Sequence, residues 1–314
     1  MTSGRRPLQR LCKPSGDSVT DPDVEPEKSL VKIPRKMLRA GWPSAASVLT
    51  VVALAVVVTV PASADVTVQE VVEVRGISFG GQVIEHYDPS QALLLDHFYF
   101  RDVSGDQHLY RVEALPLFQL MFIDFSDEDP QEQFEYRVAH SRVAPTGMIR
   151  GSYRQEFCVG KCIQEITKPA GDYVFVLEGF SFAFVGGDDH HIDEIGVLEN
   201  EGVLTAYYND QNDDDEFEVS VEYWWVPRSM LSDITAVSAS RVQDTGTARR
   251  TIAAGTKVIR GFHVDNLASG GGGDNHIKRF GLLTNSTTVD IYYGDQNPAD
   301  SADWSYLFRY ATLR

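Results

Sequence analysis

Three histidines each stand two residues after an aspartate, in Asp106-Gln-His108, Asp189-His-His191 and Asp274-Asn-His276. On a strand, positions i and i+2 face the same way. Each pair could therefore share a ligand or a metal, or the acid could orient the imidazole. The competing use is structural, with the aspartate bonding backbone amides in a turn. Sixteen residues beyond His191 and His276 come Tyr207-Tyr-Asn-Asp-Gln-Asn and Tyr292-Tyr-Gly-Asp-Gln-Asn, which lead into acidic loops.

In the loop that follows Tyr208, Asp210, Asn212 and Asp214 place oxygen side chains at alternating positions, as the opening of a calcium loop does. The third copy keeps Asp295 and Asn297, and the first has Asp127 and Asp129. The match to an EF-hand ends there, because Asp215 stands where glycine is needed and Val221 where the bidentate glutamate should be. The expected cofactor is calcium held by a non-EF loop, since the neighbouring acids Asp213 to Glu216 repel one another unless a cation joins them.

Tyr208, Trp225 and Tyr293 flank these loops or close the modules, and flat aromatics beside carboxylates and amides suit sugar rings. Adjacent Trp224 and Trp225 on a strand point to opposite faces, so one is exposed unless another module covers it. The expected ligand-binding set is Asp189, His191, Tyr208, Trp225, Asp274, His276 and Tyr293. The expected metal set is Asp210, Asn212, Asp214, Asp295 and Asn297. No catalytic set emerges: there is no G-x-S-x-G or H-E-x-x-H, and Gly270–Gly273 lacks the Lys-Ser/Thr of a phosphate loop.

The elements that must position these residues read as strands. In Phe217-Glu-Val-Ser-Val-Glu-Tyr the apolar residues alternate with polar ones, the period of a half-buried antiparallel strand. No stretch of the exported part carries a sustained 3.6-residue apolar stripe. The motifs above recur in register, His108 to His191 to His276 being 83 and then 85 residues apart. Each copy closes on an aromatic strand, beginning at Phe134, Phe217 and Trp304.

The expected class is all-β, with three tandem diverged β-sandwich-like modules at 65–145, 146–227 and 228–314. The alternative is one pseudo-threefold β assembly sharing a core. Cys158 and Cys162, in Cys-Val-Gly-Lys-Cys, are expected to form a local disulfide, because the export signal points to an oxidising compartment.

That signal is the apolar run Ala45–Val60, preceded by Arg35, Lys36 and Arg39 and followed by Ala62-Ser-Ala64. It reads as a signal peptide over 37–64, cleaved before Asp65. Residues 1–36 read as a disordered leader or a mis-assigned start. The run is short for a spanning helix, so no membrane insertion is expected after cleavage.

The chain carries a net charge of −17, and loss of residues 1–64 deepens it to near −21. Such a field repels nucleic-acid backbones, which excludes nucleic acid as a partner. The expected function is that of a secreted or cell-surface repeated binding protein for an extracellular glycan or surface protein, calcium-assisted. The alternatives are a wall, coat or matrix protein that self-assembles, and an extracellular hydrolase with an Asp–His site.

Overall fold

The computed structural model describes residues 68–314, apart from 80–82, 89, 104–108, 118, 128–132, 187–191, 211–215, 244–245, 269–276, 286 and 296–301. The leader and the export segment lie outside the described residues. Within them the first copy forms β1 (Val68–Phe79), β2 (Val83–His86), β3 (Ala92–Asp102), β4 (Leu109–Leu117), β5 (Leu120–Asp127) and β6 (Gln133–Val143). The second forms β7 (Ile149–Val159), β8 (Lys161–Glu165), β9 (Tyr173–Phe184), β10 (Ile192–Asn200), β11 (Val203–Asp210) and β12 (Glu216–Pro227). The third forms β13 (Leu231–Gln243), β14 (Gly246–Thr251), β15 (Lys257–Ala268), β16 (Ile277–Thr284), β17 (Thr288–Asp295) and β18 (Ala302–Leu313). A short 3-10 turn, Arg228–Met230, is the only helical element among the described residues.

The protein is therefore all-β, built of three six-stranded sandwich-like modules. In each, the first, third and sixth strands form one antiparallel half, and the second, fourth and fifth form the other. Each sheet joins halves from two modules, in the orders β1-β6-β3-β16-β17-β14, β13-β18-β15-β10-β11-β8 and β2-β5-β4-β9-β12-β7. Of the two arrangements open from sequence, this is the pseudo-threefold assembly. The modules complete one another's sheets and enclose a common core.

The joins between modules are short and share one register. β4 meets β9 through Arg111–Ala183, Val112–Phe182, Glu113–Ser181 and Ala114–Phe180. β10 meets β15 through Glu194–Asp265, Ile195–Val264, Gly196–His263 and Val197–Phe262. β16 meets β3 through Arg279–Arg101, Phe280–Phe100, Gly281–Tyr99 and Leu282–Phe98. At the centre Phe98, Phe180 and Phe262, one from each module and all fully buried, pack ring against ring at 4.7–5.1 Å. Tilted and edge-on aromatic pairs add to the burial of each ring.

A bulge two residues before each central phenylalanine resets the strand's alternation. It falls at Asp96, Glu178 and Arg260, the residues skipped in the ladders of β3, β9 and β15. Because of it, Leu94, Val176 and Val258 face a second, smaller core while the phenylalanines face the first. Trp224 joins that second core beside Leu94 and Val258 of the other two modules, and Trp225 joins the first. Both faces of β12 are thus covered at this end.

Candidate functional site

The register gathers the motif-bearing loops. Asp210 pairs with Ile192, the residue after His191. Asp295 pairs with Ile277, the residue after His276, and Asp127 pairs with Leu109, the residue after His108. In every module the last residue before the acidic loop is therefore paired with the first residue after the D-x-H segment. The β3–β4, β9–β10 and β15–β16 connections leave and re-enter their sheets at these same strand ends. The side chains of Asp210 and Asp295 lie outside the described residues, as do Asp189, His191, Asn212, Asp214, Asp274, His276 and Asn297.

The aromatic part of the expected ligand set is corrected. Tyr208 is 0 % exposed and stacked between Phe182 at 5.1 Å and Phe184 at 4.5 Å. Trp225 lies edge-on to Phe175 and Tyr223, and Tyr293 packs on Trp304 and Tyr306. All three are core residues and offer no face to a sugar. The alternation that makes them look like a platform also points them inward, because the second tyrosine of each Tyr-Tyr pair takes the core parity. Cys158 and Cys162 are both buried and joined, Cα to Cα 5.7 Å, tying the end of β7 to the start of β8. These two strands belong to different sheets, so the bridge fastens the two halves of the second module.

The structure adds a cluster that the sequence reading missed. On the outward side of the β10–β15 join, Glu194, His263 and Asp265 project from strands whose Ile195, Phe262 and Val264 fill the core. His263 Nε2 is 2.6 Å from Glu194 Oε1, and one ligand atom from each of the three side chains lies within 4.8 Å of the others. The ring of Tyr207 stands 4.5 Å from the imidazole. Gly196, opposite His263, leaves room for it, since a Cβ there would come within 2.9 Å of the ring and 2.8 Å of His263 Cα. Burial, and next the facing Glu194, push the Asp265 carboxyl up to about 6, with His263 opposing.

Glu194 and His263 are 69 residues apart in sequence, so no local spacing reveals them. One signal was present: copies aligned on their apolar positions place Arg111, Glu194 and Arg279 together, and Tyr99, Ser181 and His263 together. The polar residues there vary where the fold does not require them.

A second polar group is buried near the join of β3 and β16. Asp96 accepts hydrogen bonds from Ser141 and Thr284, and its other neighbour is His97 Nδ1 at 3.1 Å. His97 faces Glu73 at 3.7 Å, and His140 Nε2 lies 2.9 Å from the Glu178 carbonyl. Burial drives His140 down to about 4, so this ring is neutral at physiological pH. Asp96, His97, His140 and Ser141 are buried, while Glu73 and Thr284 are half-buried at the edge of the group, and their hydrogen bonds link neighbouring strands.

No protein-family model matches the chain, and no curated protein matches it either. Among the described residues no helix is long and apolar enough to cross a membrane.

Proposed function

We propose that this is an exported binding protein that engages an extracellular glycan, with calcium, through the loop-bearing ends of its strands. What supports the reading is the register that pairs Asp127, Asp210 and Asp295 with Leu109, Ile192 and Ile277, the residues that follow His108, His191 and His276 in the chain. A rigid β framework carrying its acids and amides on clustered loops is the usual arrangement of a binding face. Three copies of one weak site raise avidity without any new contact. With the flat aromatics committed to the core, recognition falls to carboxylates, amides and the cation, with Gln211 and Asn212 beside Asp210.

The test is thermal melting of the chain in millimolar calcium, with magnesium and EDTA as controls, followed by glycan-array screening in calcium. Saturating calcium should raise the midpoint by about 5 °C or more, as selective binding to the folded state requires. The double variant Asp210→Asn, Asp295→Asn should lose most of that rise. No calcium-specific rise and no glycan bound would sink the reading.

The second reading, a self-assembling structural protein, draws on the unpaired sheet edges β7 and β8. These carry Phe157 and Ile163, each 61 % exposed, and unpaired strand edges invite pairing with another chain. Light scattering that grows with protein concentration, with no glycan bound, would favour it.

A further inference from the structure

We propose that Glu194, His263 and Asp265 form a divalent transition-metal site, zinc being the ion that fits best, which clasps the second module to the third. Imidazole nitrogen with two carboxylates suits zinc and its first-row neighbours, whereas calcium takes oxygen ligands. Ligands at zinc lie 2.0–2.2 Å from the ion in a tetrahedron, hence about 3.4 Å from one another. The ligand atoms here all lie within 4.8 Å of one another, with His263 Nε2 and Glu194 Oε1 at 2.6 Å, and these two figures bracket that spacing. Three protein ligands leave one position for water. The groups are half-buried, which leaves a path for the ion.

Two independent observations point to a cation. Glu194 and Asp265 stand directly opposite each other across the ladder, where like charges destabilise a sheet. Among the described residues no lysine or arginine makes an ion pair with either; the only partner is His263, and it bonds to Glu194. The equivalent like-charged pair in the β16–β3 join, Arg279 and Arg101, is compensated. Arg101 meets Glu135 at 2.7 Å, and Arg279 donates to the Gly246 carbonyl.

The other observation is the break in symmetry. The three joins have the same four-pair register and apolar residues at the same inward positions, so the fold does not need these three side chains. At the equivalent positions the β4–β9 join has Arg111, Ser181 and Ala183, and the β16–β3 join has Arg279, Tyr99 and Arg101. One join in three has a ligand set, and it is the one where a glycine faces a histidine.

The same comparison supplies a variant whose residues this fold already accepts at a join. Glu194→Arg, His263→Ser, Asp265→Ala carries three of the four outward residues of the β4–β9 join onto β10–β15, and His263→Ser alone is the milder form. Zinc binding to the full chain would be titrated against a chromophoric chelator at pH 7.5, and melting would be followed with zinc, calcium or EDTA. The wild-type chain should bind one zinc more tightly than any other and melt higher with zinc than in EDTA. The triple variant should lose that zinc while melting in EDTA within a few degrees of wild type. His263→Ser should weaken binding more than about 100-fold, beyond the roughly 10–100-fold that loss of an outer-shell partner costs. A chain with His108, His191 and His276 all changed to Asn should keep the zinc. Absence of a tight zinc in wild type, its retention in the triple variant or in His263→Ser, or its loss in the loop-histidine variant would each overturn the assignment.

Discussion

Glu178 shows how much one bulge residue can set. It is skipped in the β9–β12 ladder, its side chain is 2 % exposed, and Arg150 Nε donates to its carboxylate at 2.7 Å. Burial outweighs that arginine and lifts the carboxyl from an ordinary 4.5 to about 7. The folded chain then holds this proton more tightly than the unfolded chain does. The group's stabilising effect is fully present below pH 4.5 and is lost as the pH rises to 7. Glu178→Gln should remove that slope, with wild type losing on the order of 2–3 kcal/mol more than the variant between pH 4.5 and 8. Urea denaturation across that range would measure it, and parallel curves for the two proteins would count against the argument. The equivalent residues Asp96 and Arg260 show that the bulge takes a polar side chain of either charge.

At the scale of strands, the joins between modules depend on backbones that come unusually close. Gly281 has φ +146°, a conformation L side chains rarely adopt, and a Cβ there would clash with the Phe98 carbonyl oxygen and lie 2.7 Å from Tyr99 Cα. Both neighbours are main chain of β3 and cannot step aside without opening the join. Gly281→Ala should therefore cost more than the ~1–3 kcal/mol of ordinary overpacking, read as a fall in melting midpoint. A change under about 0.5 kcal/mol, usual for a surface site, would mean that the join is loose.

These joins also mark where sequence reading ran out. The strands themselves were legible, because alternation such as Phe217, Val219, Val221, Tyr223 depends only on neighbours in the chain. So was the local Cys158–Cys162 pairing. Which strand lies beside β10 is a different matter, since β15 is some 70 residues away and both its neighbours have the same period. The bulges were equally hidden: one skipped residue reverses the parity that sequence alternation assumes, which is why Trp224 and Trp225 are both covered. Glu194, His263 and Asp265 meet only once that pairing is known.

For the whole molecule, the consequence of shared sheets is cooperativity. A chain of three separate sandwiches could lose one and keep two. Here the removal of any module would strip three strands from each of two sheets and one ring from the Phe98, Phe180, Phe262 cluster. Phe180→Ala would leave a cavity where the three modules meet, and truncating a buried phenylalanine costs about 3–5 kcal/mol. In a shared core that loss falls on all three modules at once. Differential scanning calorimetry of the variant should give a single transition, about 10 °C below wild type, with calorimetric and van't Hoff enthalpies equal. If instead about a third of the heat moved to lower temperature while the rest stayed in place, the modules would be unfolding separately. Equality would tie the three copies to one fate, so that acids on the loops of one module are positioned by the packing of all three.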